Sequence, residues 1–368
     1  MKKMYNLMII AVLLLGSCKT TPEPPVTAVE FKIQYSPETL TLEAQEGSKS
    51  VIVTSNANWT VSSDQTWCTV SPFSGYSGDT SLKIEASANQ TDKDRIAVLT
   101  FKSESGSKKY TVTQKAGTIE NYVPTGYNMV WGDEFNDART TDGKPAMPSL
   151  TKWKYETGAG GWGNNEIQNY IAGVSGTDTC AVVTNGTLKI IAKKRGAEVI
   201  SIRMNSVSSW QYGYFEARLK VPGGKGTWPA FWMLPKNFVS WPLDGEIDIM
   251  EYVGYRPNVV QASVHTMSYN HSIGTEKTAT KNILNAEKEF HIYAMEWTAD
   301  KITGYVDGVA YFTFMNDKKN DKKTWPFNAP FYLKLNLAWG GNWGGSQGID
   351  ETKLPATYEI DYVRVYQK

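Results

Sequence analysis

Short runs in which polar and apolar residues alternate one by one recur along almost the whole chain. Before residue 116 they read TLTLEA, KSVIVTS, WTVSS, SLKIEA, IAVLTFKS and KKYTVTQK, and longer β-branched and aromatic runs follow. A period of two sends successive side chains to opposite faces of an extended strand, so each run can bury one face and wet the other. Gly, Asn, Asp and Pro punctuate the runs and helical patterning is scarce, which predicts an all-β protein. A chain of 368 residues suggests two domains rather than one.

One run breaks the expected chemistry. DGEIDIMEYVG, residues 244–254, sets four carboxylates in an otherwise apolar strand, although Asp and Glu are depleted in strands. Alternation puts Glu246 and Asp248 on one face, with Asp244 at its leading edge, and sends Ile247 and Ile249 to the core. Glu251 falls on the wrong face, where an unpaired carboxylate is costly. One surplus residue near Ile249 and Met250, a β-bulge, returns it to the acidic face, and bulges are favoured beside active sites. Three crowded carboxylates suit a general acid, whose pKa a neighbouring charge raises. Composition alone leaves a calcium site or a solvated acidic face equally open.

The rest of the chain bounds the setting. Lys2 and Lys3 precede an apolar run, Leu7 to Leu15, that is too short for the roughly 20 residues of a membrane span. With Leu15-Gly16-Ser17-Cys18 it reads as an export signal over residues 1–18 that ends in a bacterial lipobox, with Cys18 the lipidated residue. Residues 19–27 are a proline-rich tether. The expectation is an outer-membrane lipoprotein, facing the cell surface or the periplasm. Cys68 and Cys180 fall in different expected domains, so no disulfide framework is expected. The histidines His265, His271 and His291 are too scattered for a zinc motif. A net charge of +1 offers nothing to nucleic acid, and a monomer is expected.

Residues 28–117, with SNANWTVSSDQTWCTVSPFSGYSGDTSLKIEASANQTDKDR and TVTQKAG, resemble the BACON domain, an immunoglobulin-like module. Six or seven strands of a small sandwich are expected there. Trp59 and Trp67 are expected to fill its core rather than stack on sugar, which makes the module a spacer. From residue 128 to 368, WGDEFN, GGWGNNEIQNY, GYFEARLKVPGGKGTWPAFWMLP, EIDIME, VHTMSYNH and EIDYVRVY resemble family 16 glycoside hydrolases in their bulged, laminarinase-like form.

That resemblance implies a concanavalin-like β-jelly-roll sandwich with a cleft open at both ends. It implies Glu246 as nucleophile, Glu251 as acid and then base, and Asp248 tuning the pair. Trp228 and Trp232 match the family's sugar-stacking positions, and Asn164, Arg203, His265 and Trp343 its other cleft-lining positions. No cofactor is implied for catalysis. A structural calcium is implied near Glu134 and Gly186, with Asp361 as its side-chain ligand. Between Pro222 and His265, Lys225, Lys236 and Arg256 stand against Asp244, Glu246, Asp248 and Glu251, which argues against a sulfated substrate. The resulting reading is an endo-acting, retaining β-glucanase that cleaves laminarin-type β-1,3-glucan, mixed-linkage β-1,3/1,4-glucan or both. The alternative is a glycan-binding lipoprotein that uses the same cleft without catalysis, and the intact carboxylate trio favours the enzyme.

Overall fold

The computed structural model describes residues 30–136 except 90 and 92, 146–175 and 178–368. The signal, Cys18 and the tether lie outside them. Among the described residues nearly all regular structure is strand, and the helical segments are single turns.

Strands up to residue 114 form two sheets of their own. One runs Ile33–Ser36, Gly47–Ser55, Gly78–Ala86, Cys68–Ser71; the other Leu40–Leu42, Gly106–Gln114, Arg95–Ser103, Trp59–Ser63, Ser74–Gly75. Nine strands thus stand where six or seven were expected. Alternation holds along them: in Gly78–Ala86, Leu82, Ile84 and Ala86 are buried while Lys83 and Glu85 are exposed. Trp59 is buried and meets Phe101 edge-on, with ring centroids 5.1 Å apart. Trp67 is half-buried. The fully exposed aromatics are instead Phe73 and Tyr76. Cys68 is buried, as is Cys180, just before strand Ala181–Thr184.

The strands after residue 127 build a ten-stranded sheet, a seven-stranded sheet and a small two-stranded one, Val174–Ser175 with Asp178–Thr179. Inward residues of the two larger sheets, such as Phe215, Ala217, Met295 and Val363 from the first and Phe231, Met233, Leu335 and Leu337 from the second, join one apolar cluster. This is sheet-on-sheet packing. The seven-stranded sheet runs Trp153–Glu156, Arg203–Ser206, Phe331–Trp339, Thr227–Pro235, Glu246–Tyr252, Val259–His265, Lys277–Asn282. Its strand Thr227–Pro235 pairs residue for residue with Phe331–Trp339, without interruption. Phe231 and Met233 therefore point to the core, and Trp228, Ala230, Trp232 and Leu234 to the other face.

The segment just before residue 128 is anchored to these later strands: the Tyr127 hydroxyl donates to Glu296 at 3.1 Å. A chain that begins at residue 118 keeps this contact. Because none of the described strands up to residue 114 enters the later sheets, residues 118–368 alone are expected to fold and to hydrolyse soluble glucan with an unchanged kcat. A large loss of kcat relative to the full chain would show that the N-terminal strands help to form the site.

Candidate active site

Strand Glu246–Tyr252 lies antiparallel between Thr227–Pro235 and Val259–His265. Against Val259–His265, Glu246 faces His265 and Asp248 faces Ser263, but Glu251 faces Gln261. Three steps on one strand thus match two on its partner. The other neighbour records the same surplus, since Phe231 faces Met250 and Trp232 faces Asp248, which skips Ile249. The expected one-residue bulge is there. Ile249 and Met250 both enter the core, and Glu251 returns to the side of Glu246 and Asp248. The three carboxylates line one cleft of ≈ 680 Å³.

Asp244 does not belong to this acidic face. Its carboxylate accepts from the backbone N–H groups of Val239 and Ser240 at 2.8 and 2.7 Å and from the Lys322 ammonium at 2.5 Å. It therefore closes the loop that leads into the strand. Gly245, next to it, has φ of 87° and no room for a side chain, because Pro326 lies 2.7 Å from where a Cβ would be.

The cleft gathers every substrate-contacting residue expected from the sequence: Asn164, Arg203, Trp228, Trp232, His265 and Trp343 all line it. His265 Nε2 sits 3.3 Å from Asp248 Oδ2 and 4.0 Å from Glu246 Oε1. Trp228 and Trp343 meet edge to face at 5.5 Å. The indole N–H groups of the two cleft tryptophans have different partners. Trp228 Nε1 donates to Glu251 Oε1 at 3.2 Å, and Trp232 Nε1 to Asn336 Oδ1 at 2.7 Å.

Several residues in and beside the cleft had no signal in the sequence. Glu156 accepts from Arg203 Nε at 2.5 Å and from Lys334 Nζ at 2.7 Å. Lys334 also donates to Asn205 Oδ1 at 2.6 Å and is fully buried. Both cations lie over the Trp232 ring, at 4.9 and 5.0 Å from its centroid, and Arg203 lies 4.6 Å from that of Trp162 as well. Asn336, which holds the Trp232 N–H, donates in turn to the Tyr170 hydroxyl, and that hydroxyl donates to buried Glu166. Trp241 and His271 stack across the cleft wall, 4.9 Å apart. Glu156, Lys334 and Asn336 come from strands far apart in sequence, so no local pattern announces them. Trp162 sits in GGWGNNE, and its φ of 48° with the glycines around it marks a contorted loop.

Burial dominates the electrostatics. It pushes the Glu251 carboxyl up to about 8, with Asp248 adding to the shift. Glu246 rises to about 8 for the same two reasons in the same order. Desolvation alone raises Asp248 to about 8. The expected cause, mutual repulsion, is thus second to desolvation. The Glu156 cluster has the opposite balance. Burial works to raise Glu156, yet Lys334 and Arg203 hold it at about 2. Burial, then Arg203, bring Lys334 down to about 7.

The two acidic side chains expected near a calcium each have a guanidinium partner. Both oxygens of Glu134 accept from Arg364, at 2.9 and 2.8 Å. Asp361, almost fully buried, pairs with Arg218 at 3.0 Å. Among the described residues, the acidic and histidine side chains that converge as a set of three are Glu246, Asp248 and His265.

Comparison with known proteins agrees with this geometry. Residues 168–364 match the family model of glycosyl hydrolases family 16, and residues 32–117 match one described as a viral BACON domain. A β-glucanase from Rhodothermus marinus is 42% identical over 254 residues, which cover 66% of this chain and 85% of that protein. The solved laminarinase from Rhodothermus marinus superposes with a TM-score of 0.61 at 41% identity, over 66% of this chain and 97% of that one. A mutant of a non-specific endo-β-1,3(4)-glucanase, co-crystallised with 1,3-β-D-cellotriosyl-glucose, gives a TM-score of 0.62 at 42% identity, over 67% of this chain and 96% of that one. The chain belongs to glycoside hydrolase family 16.

Proposed function

We propose that the protein is an endo-β-glucanase that hydrolyses β-1,3-glucan, mixed-linkage β-1,3/1,4-glucan or both with retention of configuration. Glu246 is the nucleophile, Glu251 the acid and then the base, and Asp248 the group that tunes them. The bulge at Ile249 carries this reading, because it brings all three carboxylates into a cleft walled by tryptophans. The β-glucanase, laminarinase and endo-β-1,3(4)-glucanase relatives support the substrate class. A neutral glucan also suits the cleft's charges, since the lining cations Arg203 and Arg256 stand among the acidic side chains Glu166, Glu246, Asp248, Glu251 and Glu276.

Retaining enzymes hold their two carboxyls about 5–5.5 Å apart, too close for water to enter between carboxylate and sugar, so the carboxylate attacks first. Glu251 gives its proton to the glycosidic oxygen as Glu246 bonds to the anomeric carbon. It then takes a proton from the water that releases the sugar. Esterification of Glu246 removes its charge from beside Glu251, which favours the ionised base needed in the second step.

The lipid anchor on Cys18, the outer-membrane location, the monomeric state and the limits 28–117 and 128–368 of the two domains belong to the same proposal. A calcium at Glu134, Gly186 and Asp361 would not touch the carboxylate trio. EDTA is therefore expected to leave kcat unchanged, and a kcat that falls on chelation and returns with calcium would contradict this.

Glu246→Ala is expected to abolish hydrolysis of every substrate while oligosaccharide still binds. Glu251→Ala is expected to form the glycosyl-enzyme from an activated aryl glycoside and to stall there, with azide releasing a β-glycosyl azide. NMR of the first-formed product should show the β-anomer, and an α-anomer would overturn the assigned roles.

A stability prediction follows from the raised carboxyls. Glu251 has a folded pKa of about 8 against an ordinary 4.5. The neutral buried acid favours the folded state, so its contribution is complete below about pH 4.5 and is lost as pH rises through about 8. Glu251→Gln keeps the shape and cannot ionise. Its melting temperature should equal that of the wild type near pH 4 and exceed it at pH 9. A variant no more stable at pH 9 would mean that Glu251 is not desolvated.

A further inference from the structure

We infer that Trp228 is a positioning residue for Glu251. Its indole N–H occupies Oε1, which leaves Oε2 as the oxygen that carries the catalytic proton. The inference rests on the proposed acid/base role of Glu251 and goes beyond sugar stacking, which needs a ring but no N–H.

The geometry sets Trp228 apart from its neighbour. Trp228 and Trp232 lie on the same face of the same strand and line the same cleft. The Trp228 N–H reaches Glu251 Oε1 at 3.2 Å, whereas the Trp232 N–H is consumed by Asn336 at 2.7 Å. The Trp228 ring is held in this orientation from outside the strand. Trp343 meets it edge-on at 5.5 Å, and Gly344 backs it so closely that an added Cβ there would lie 3.0 Å from Trp228 Cβ. Ala230, directly opposite Glu251 in the strand pair, offers no donor.

An indole nitrogen donates and never accepts. It can pair with either protonation state of Glu251 only through an oxygen that bears no proton. In the first step the proton therefore leaves Oε2 for the glycosidic oxygen, which keeps the electron pair of the breaking C–O bond, while a Glu246 oxygen forms the new bond to carbon. The negative charge left on Glu251 meets a donor already in place, and the carboxylate needs no reorientation before it accepts a proton from water. The N–H works toward lowering the Glu251 pKa, against the larger effect of burial.

The test is Trp228→Phe in the full-length chain, which keeps an aromatic face and removes the donor, with Trp232→Phe as the matched control. Melting curves first establish that both variants fold. Two substrates separate the roles: a laminari-oligosaccharide, whose leaving group needs a proton, and 2,4-dinitrophenyl β-laminaribioside, whose leaving group does not. For Trp228→Phe, kcat/KM on the oligosaccharide should fall roughly tenfold to a hundredfold, as for a lost hydrogen bond to a charged group. On the aryl glycoside the loss should be clearly smaller, since there only sugar stacking is altered, and the alkaline limb of the oligosaccharide pH profile should move to higher pH. Trp232→Phe should affect both substrates equally and leave the limb in place. Equal losses of Trp228→Phe on both substrates, no loss on either, or the same leaving-group dependence in Trp232→Phe would each overturn the inference. A wild-type protein inactive on both substrates would instead refute the proposed function on which it stands.

Discussion

A single surplus residue in a single strand governs this site. Without the bulge, strict alternation would send Glu251 to the side of Ile247 and Ile249, into the apolar cluster, where an ionised carboxylate has no solvent and no partner. With it, two apolar residues in succession face the core, and both Ile249 and Met250 are completely buried. The same insertion is thus anchored from below by hydrophobic burial and used from above by chemistry. Both neighbouring strands accommodate the offset while keeping their register on either side, so the defect stays local.

Bringing three carboxylates together beneath tryptophans has an electrostatic consequence that the fold must tolerate. Desolvation raises all three, and the site favours protonated forms at neutral pH. A nucleophile must nevertheless be ionised. Arg203 and His265 pull Glu246 in that direction. Arg203 can lie this close to the cleft because Glu156 compensates it, and Lys334 shares the same carboxylate. One half-buried anion therefore organises two cations, and the two cations hold the Trp232 ring. Breaking such a network by removing one partner leaves an uncompensated buried charge, which is far more damaging than losing a surface pair.

The two cleft tryptophans illustrate how identical residues four positions apart acquire different work. Strand periodicity gives both the same face. Their N–H groups diverge because the two indoles turn to opposite neighbours of one strand: Trp232 donates to Asn336 on Phe331–Trp339, and Trp228 donates to Glu251 on Glu246–Tyr252. One indole is tied into the cleft wall through Asn336, Tyr170 and Glu166. The other is tied to a reacting group.

Alternation in the sequence determined the all-β class, the core positions and, through Glu251, the need for a bulge. Each of these depends on whether a side chain points inward or outward, which is a local property of a strand. The motifs around EIDIME likewise placed Trp228, Trp232, Asn164, Arg203, His265 and Trp343 in one cleft. Asp244 was misread for a corresponding reason: its spacing fits the acidic face, but the strand begins only at Glu246, and its carboxylate turns back to the loop and Lys322. Glu156, Lys334 and Asn336 could not be found in advance, because they meet through the order and register of strands separated by up to about half the chain, and nothing in a linear period encodes which strand lies beside which. Tertiary structure alone also decided that burial, more than mutual repulsion, sets the carboxyl pKa values, since desolvation depends on everything packed around a group rather than on its neighbours in sequence.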